Sequence, residues 1–178
     1  MTTVWYFAYG SNMQSATLRG RRGIEYLRAV PGRVPGWRLV LDKPPLFGDG
    51  NSFANLIPDT TAEAFGVLFE ITHGDLAHLD LTEGVLIENY RRVPVIAHPL
   101  RGEASPVEAF TLTSERRNPS LLPSTRYMSL LIEGAIEHGL PAEYIEYLRT
   151  LPAIEEHEAV ARFRPMIDEF LRKPKPNP

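Results

Sequence analysis

Strand-like segments precede most of the helical segments in this chain, and that order restricts the folds it can adopt. Runs rich in aromatic and β-branched residues, which are typical of strands, lie at 4–9, 37–41, 53–57, 64–71, 90–97 and 107–112. One helical pattern falls among them at 73–83, and the others follow at 124–138, 141–151 and onward to residue 171, with a break near Pro165. This order favours an α+β or mixed fold, with a curled sheet or small barrel, over a doubly wound parallel sheet.

The first strand-like run ends abruptly, because Tyr9 is followed by Gly10, Ser11, Asn12 and Met13. Gly10 frees the backbone from Cβ sterics and Asn12 tolerates unusual dihedrals, so the turn can present bare amide N–H groups. Such a turn can hold an anion or a polarised carbonyl. The same residues also occur in ordinary structural turns, so local chemistry leaves both readings open.

Composition places the chain among ordinary globular proteins. Of its 178 residues, 43% are hydrophobic and 23% are charged, which suits one domain with a sizeable core; we expect that domain over residues 1–172 and a disordered tail over 173–178. The net charge of −3 argues against nucleic-acid and anionic-membrane partners, and the short basic cluster Arg19, Arg21 and Arg22 is expected on a solvated surface. Without a secretion signal or an apolar stretch long enough for a bilayer, a cytoplasmic location is the default expectation.

The helical pattern over 73–83 contains a carboxylate in an unusual position. Leu76, Leu79 and Glu83 follow one helical stripe, so Glu83 is expected to point inward with the two leucines. A carboxylate that enters a partly desolvated site is a candidate general base. Rotation of Glu83 into solvent in the last turn is the alternative. Asp80 lies on a neighbouring face and is expected at the surface.

Other reactive residue types form no standard arrangement. The chain has no cysteine, which excludes disulfides and thiolate chemistry, and its five histidines contain no His-Glu-x-x-His pattern, so no metal is expected. Gly10 stands alone before Ser11, without the glycine spacing of a nucleotide-binding loop, so no cofactor is expected. Ser11 also lacks the Gly-x-Ser-x-Gly frame of a hydrolase nucleophile.

The helix predicted over 124–138 carries Arg126 and Tyr127 in its first turn. Both side chains could meet a ligand at that position. A tyrosine packed in the core and a solvated arginine are the alternative.

Three segments carry a resemblance to a known family. The run Tyr-Phe-Ala-Tyr-Gly-Ser-Asn-Met at 6–13 resembles the signature of the γ-glutamylcyclotransferase family, including its AIG2-like relatives, in which an apolar strand ends in Tyr-Gly-Ser-Asn. Residues 79–90, with Glu83 before Gly84, resemble the segment that carries the family's catalytic glutamate. Residues 127–144, which include Gly-Leu-Pro, are similar to its late helical portion, so the resemblance spans residues 4–151.

The resemblance implies an α+β fold with a small mixed β-barrel-like sheet and flanking helices. It implies a cofactor-free, lyase-type intramolecular acyl transfer that converts a γ-glutamyl amino acid or γ-glutamyl amine into 5-oxoproline and a free amine, with Glu83 as general acid and base. The residues implied in substrate binding are Tyr9, Gly10, Ser11, Asn12, Met13, Tyr90 and Tyr127. The turn amides would hold either the α-carboxylate or the oxyanion of the tetrahedral intermediate. The γ-glutamyl substrate is the only partner implied, and the oligomeric state stays open.

Two other functions are compatible with the same residues. One is a non-catalytic module that binds a small carboxylate on the same fold, since members of a fold need not share chemistry. The other is an amide hydrolase that uses Ser11 as nucleophile. The segments 42–52 and 116–124 match no motif and could line the leaving-group side of the pocket, so the leaving amine is not determined.

Overall fold

Five strands close into a barrel in the computed structural model, which describes residues 2–47, 49–102 and 105–171. Within these residues the strands are β1 (Thr3–Ala8), β2 (Tyr26–Lys43), β3 (Phe53–Thr72), β4 (Arg91–Pro99) and β5 (Val107–Thr113). The helices are α1 (His73–Glu83), α2 (Thr125–Glu137), α3 (Ala142–Thr150) and α4 (Glu158–Leu171). The strand order is β1-β3-β2-β4-β5, and β5 closes the barrel by pairing in parallel with β1.

This architecture confirms the predicted α+β fold with a small mixed barrel-like sheet and flanking helices. The helical pattern expected to break near Pro165 is one helix, α4, with that proline inside it. The predicted tail, residues 173–178, lies outside the described residues. A single domain over 1–172 stays a prediction.

The prediction of six short strands is wrong in one region of the sheet. Segments 53–57 and 64–71 belong to the single strand β3, and 37–41 is only the last part of β2. In β2, Pro35 and Gly36 interrupt the strand pattern, but the barrel uses them in a β-bulge where the register with β3 shifts and Gly36 has φ of 81°. Bulges bend a strand without ending it, and the curvature lets two long strands wrap a small barrel.

Strand β1 lies in the centre of the core. Tyr6, Phe7 and Ala8 are all buried, as expected for a strand covered on both faces. It packs unusually close to β3, because a Cβ on Gly66 would lie 2.3 Å from the Ala8 carbonyl oxygen and 2.7 Å from Phe7 Cζ. Only glycine leaves room for this contact.

Helix caps fix the two helices that bear on the site. Thr72 Oγ1 accepts a hydrogen bond from the Asp75 amide (3.0 Å) at the start of α1, and Gly84, at φ 71°, ends the helix directly after Glu83. Ser124 caps α2 in the same way, accepting from the Tyr127 amide at 3.0 Å. These caps fix the positions of Glu83, the last residue of α1, and of Tyr127, in the first turn of α2.

One end of the barrel gathers the chain segments that form the candidate site. Strands β1 and β5 end there and β4 begins there. The tip of the β2–β3 hairpin, where Lys43 pairs with Phe53, lies across this end. Two hydrogen bonds attach this tip. Tyr90 Oη donates to the Ala54 carbonyl at 3.0 Å, and Asn55 Nδ2 donates to the Ser114 carbonyl at 2.8 Å.

Candidate active site

Glu83 is the last residue of α1 and its side chain points into the molecule. It is 8% exposed, and Leu76 and Leu79 on the same stripe are buried. The prediction of an inward-facing glutamate is therefore confirmed. Asp80, expected at the surface, is instead partly buried and pairs with Arg92 at 3.0 Å, and burial raises the pKa of its carboxyl group.

Two donors hold the Glu83 carboxylate through the same oxygen. Asn12 Nδ2 donates to Oε1 at 3.0 Å, and Arg22 Nη2 lies 3.0 Å from the same atom. Asn12 is itself fixed, because its Nδ2 also donates to Tyr6 Oη at 3.1 Å and its Oδ1 accepts from Arg22 Nε at 3.4 Å. The Glu83 side chain is therefore held in one orientation by a cation and a neutral donor.

Arg22 was expected on a solvated surface with Arg19 and Arg21, and this prediction is wrong for Arg22. Arg22 is only 9% exposed and pairs with Glu83, while Arg21 pairs with Asp168. Only Arg19 is largely exposed. A basic cluster along the chain does not show which of its members the following turn directs inward, so the sequence carried no signal for Arg22.

The turn after β1 is a buried short helical segment over Ser11–Met13. Two backbone hydrogen bonds form within the turn. The Met13 amide donates to the Gly10 carbonyl at 3.0 Å, and the Gln14 amide donates to the Ser11 carbonyl at 3.2 Å. None of the backbone–backbone hydrogen bonds described for this turn has the amide of Gly10, Ser11 or Asn12 as its donor, and the Ser11 amide donates to the Tyr127 hydroxyl instead. These are the first amides of a helical turn, which have no partner within it.

Helix α2 packs directly against the backbone of this turn. A Cβ on Gly134 would lie 2.6 Å from the Gln14 amide nitrogen and 2.7 Å from Met13 Cβ, so the helix touches the backbone of the turn. Met13 itself is fully buried in this contact. A role of Met13 in substrate binding therefore stays a prediction.

Tyr127 reaches from α2 to the turn. Its Oη accepts a hydrogen bond from the Ala54 amide at 3.1 Å and lies where a Cβ on Gly10 would come within 3.0 Å. Burial raises the pKa of Tyr127, and hydrogen bonds from the Ala54 and Ser11 amides act in the opposite direction. The phenol therefore stays protonated at neutral pH. Its neighbour Arg126 is exposed, in line with the solvated alternative.

Tyr9 and Tyr90 are the remaining predicted contact residues, and each donates its hydroxyl to a backbone carbonyl. Tyr9 Oη donates to the Leu112 carbonyl on β5, and Tyr90 Oη donates to Ala54 at the hairpin tip. Burial is the main cause that raises the pKa of both phenols. In this structure both hydroxyls stabilise the barrel end, so a role in binding stays a prediction.

Lys43, Asn89 and Arg116 were not foreseen and complete the barrel end. Lys43 is only 2% exposed, and its Nζ donates to Asn89 Oδ1 at 2.7 Å. Asn89 Nδ2 donates in turn to the Glu83 carbonyl at 3.0 Å. Burial lowers the pKa of Lys43 to about 8, helped by Arg116 and opposed by Glu83. A lysine beside paired prolines is typical of a solvated loop, so its burial is a tertiary effect.

Two kinds of feature are absent from the described residues. Over 2–47, 49–102 and 105–171, no group of three or more His, Asp or Glu side chains is placed to hold a metal ion. In the same ranges, no helix has the length and apolarity needed to cross a membrane.

The structure thus brings together Glu83, the turn, Tyr127 and Tyr90 at one end of a closed five-stranded barrel, and this defines a γ-glutamylcyclotransferase-like fold. A solved γ-glutamyl cyclotransferase structure superposes with a TM-score of 0.76 at 22% identity, covering 94% of this chain and 99% of its own. The AIG2-like family model matches residues 63–148, which include α1 and Tyr127.

Two relatives carry the same name. The chain is 32% identical to a γ-glutamyl cyclotransferase of Aspergillus oryzae over 82% of this chain, and it spans 60% of the length of that relative. It is 26% identical to the γ-glutamylcyclotransferase of Homo sapiens, covering 94% of this chain and 87% of the relative. These findings confirm the predicted resemblance to the γ-glutamylcyclotransferase family, with its AIG2-like relatives.

Proposed function

We propose that this protein catalyses the cyclisation of a γ-glutamyl compound to 5-oxoproline with release of an amine. The observation that carries the proposal is the Glu83 carboxylate, buried and anchored through Oε1 by Asn12 and Arg22 beside the Gly10–Asn12 turn. In this proposal the protons move through Oε2, the carboxylate oxygen that these two donors do not contact. The relatives named γ-glutamyl cyclotransferase support the reaction type.

Glu83 moves protons in the proposed mechanism. The substrate α-amine is largely an ammonium ion at neutral pH, because such amines have pKa values above 7, and Glu83 takes a proton from it. The freed nitrogen attacks the γ-carbonyl carbon, whose C=O electron pair moves onto the oxygen. When this tetrahedral intermediate collapses, the bond to the departing nitrogen breaks and Glu83 returns a proton to that nitrogen. Once the new N–C bond has formed, the ring nitrogen gives up its second proton to the same carboxyl group, which passes it to the departing amine, so that two protons leave the α-nitrogen and two reach that amine.

The turn provides the anion-binding half of the proposed site. The amides of Gly10, Ser11 and Asn12 bind either the α-carboxylate or the oxyanion that develops on the γ-carbonyl oxygen. The Tyr127 hydroxyl is protonated and lies against the same backbone, so it donates a further hydrogen bond to the bound anion. Holding the amine against its own carbonyl supplies a large proximity effect, so the reaction needs no cofactor in this proposal. Ser11 contributes its amide and is not the nucleophile.

The test is release of 5-oxoproline from a panel of γ-glutamyl amino acids and γ-glutamyl amines. We expect turnover by the unmodified protein and a loss of about 10²–10⁴-fold in Glu83→Gln, the range removed with a general acid–base group. Glu115→Gln is the matched control, because Glu115 is an exposed carboxylate paired with Arg91 and is expected to keep full activity. Ser11→Ala is expected to stay active. Absence of 5-oxoproline across the panel would refute the proposal and leave the carboxylate-binding module.

A further inference from the structure

Helix α4 directs charged side chains toward the rest of the molecule, which is the reverse of an ordinary surface helix. Arg164 pairs with Glu156, which precedes the helix, and Asp168 pairs with Arg21 at 2.5 Å. Arg164 and Asp168 are four residues apart and lie on one face, and both are partly buried. The helix is therefore attached to the barrel through ion pairs, and its large apolar residues are left for another face.

Those apolar residues form one exposed stripe. Phe163, Met166 and Ile167 are 47%, 68% and 45% exposed, and their spacing of three and four residues places them together on the helix. We call these three residues the α4 stripe. Single exposed apolar residues are common on protein surfaces, but three large ones on adjacent turns are typical of an interaction surface.

Two residues of opposite charge lie along one edge of the α4 stripe. Arg162 and Glu169 are both exposed, and because they are seven residues apart they lie on the same side of the helix, two turns from each other. The Arg162 guanidinium lies 5.6 Å from the centre of the Phe163 ring, so this charge borders the stripe. In the part of the chain that the structure describes, neither Arg162 nor Glu169 forms an ion pair.

This pattern is complementary to itself. When two copies of α4 pack antiparallel about a two-fold axis, Phe163 of each copy lies against Met166 of the other. In the same arrangement Arg162 of each copy lies beside Glu169 of the other, so the ion pair forms twice. A parallel pair would instead place arginine beside arginine and glutamate beside glutamate, which is unfavourable.

We propose that the α4 stripe binds the α4 stripe of a second copy of this chain, in an antiparallel helix pair flanked by two ion pairs between Arg162 and Glu169. This interaction surface is independent of the proposed function. One helix pair buries less than the roughly 1,600 Å² of a standard protein interface, so we expect the dimer to dissociate in the micromolar range.

The first test is sedimentation velocity of the full chain over roughly 1–200 μM, which brackets a micromolar dissociation constant. The unmodified protein is expected to change from monomer to dimer over this range. Met166→Lys is expected to raise the dissociation constant at least about tenfold, because it places a charge in the apolar contact. Ile96→Lys is the matched control: Ile96 is 52% exposed on β4, opposite Glu108, and its replacement is expected to leave the dissociation constant unchanged.

The second test exchanges the flanking charges. Arg162→Glu and Glu169→Arg each turn two attractive contacts into two repulsive ones, so each is expected to raise the dissociation constant about three- to tenfold. The double variant Arg162→Glu, Glu169→Arg is expected to restore the affinity of the unmodified protein. A monomer at every concentration, or a dimer that Met166→Lys leaves intact, would overturn the proposal. A double variant weaker than both single variants would overturn the antiparallel pairing.

Discussion

Arg22 and Glu83 form an ion pair of 3.0 Å at the end of the barrel, and their side chains are only 11% and 10% exposed. The pair joins the segment after β1 to the end of α1. It also fixes one carboxylate oxygen of the proposed acid and base. Stability and the proposed function therefore depend on the same contact, and variants can separate them.

Breaking this ion pair on one side is expected to destabilise the protein. Glu83→Gln leaves the Arg22 guanidinium buried without an anion, and Arg22→Met leaves the carboxylate unpaired, so each should lower the free energy of unfolding by about 3–5 kcal/mol. The double variant Arg22→Met, Glu83→Gln should regain much of this stability but no cyclotransferase activity. Urea unfolding and 5-oxoproline release measure the two effects. A double variant as unstable as the sum of the single variants would contradict a direct interaction.

Tyr127→Phe removes a hydroxyl oxygen that accepts from the Ala54 amide at 3.1 Å. The amide is then left buried without its partner, which is expected to cost about 1–3 kcal/mol of stability. Turnover should also fall, because the same oxygen lies against Gly10. Tyr144→Phe is the control: its buried hydroxyl makes only a 3.4 Å hydrogen bond to Phe65, away from Glu83. If both variants had equal kcat/KM, Tyr127 would have no specific role.

Gly66→Ala tests the close approach of β1 and β3. The new Cβ would lie 2.3 Å from the Ala8 carbonyl oxygen, and backbone cannot move away as a flexible side chain can. We expect a loss of about 1–3 kcal/mol or more, as in other overpacked cores, measured as a lower Tm. Gly20→Ala is the matched control, since nothing lies within 4 Å of its added Cβ. A Tm for Gly66→Ala equal to that of Gly20→Ala would show that the strands can separate at no cost.

Lys43 predicts how stability depends on pH. Its pKa is lowered from 10.5 to about 8 in the folded protein, first by burial, so between these values the unfolded chain binds more protons than the folded one. Stability should therefore rise with pH from about 8 toward 10.5 relative to Lys43→Met. The buried tyrosines act oppositely near and above pH 10, because their pKa values are raised. Both proteins share these tyrosines, so the difference between the two isolates Lys43. Parallel stability curves would contradict a buried charged lysine.

Residues with a strong local signature were predicted well. Glu83 follows two core leucines at helical spacing, and its inward direction is confirmed because a short helix must bury its apolar stripe. Strands β1, β4 and β5 were predicted to within two residues at each end, whereas β2 and β3 were predicted as shorter pieces. Pro35 and Gly36 interrupt a local pattern, and only pairing with β3 shows that they form a bulge within one strand.

The sequence by itself determined the first strand and the turn that follows it at Gly10, the α1 stripe that buries Glu83, and the resemblance to γ-glutamylcyclotransferases. These features depend on residues that lie close together along the chain. Only the tertiary structure decided that Arg22 and Asn12 hold the Glu83 carboxylate and that Lys43 is buried beside Asn89. Such contacts join segments far apart in sequence, and closure of the barrel brings them together.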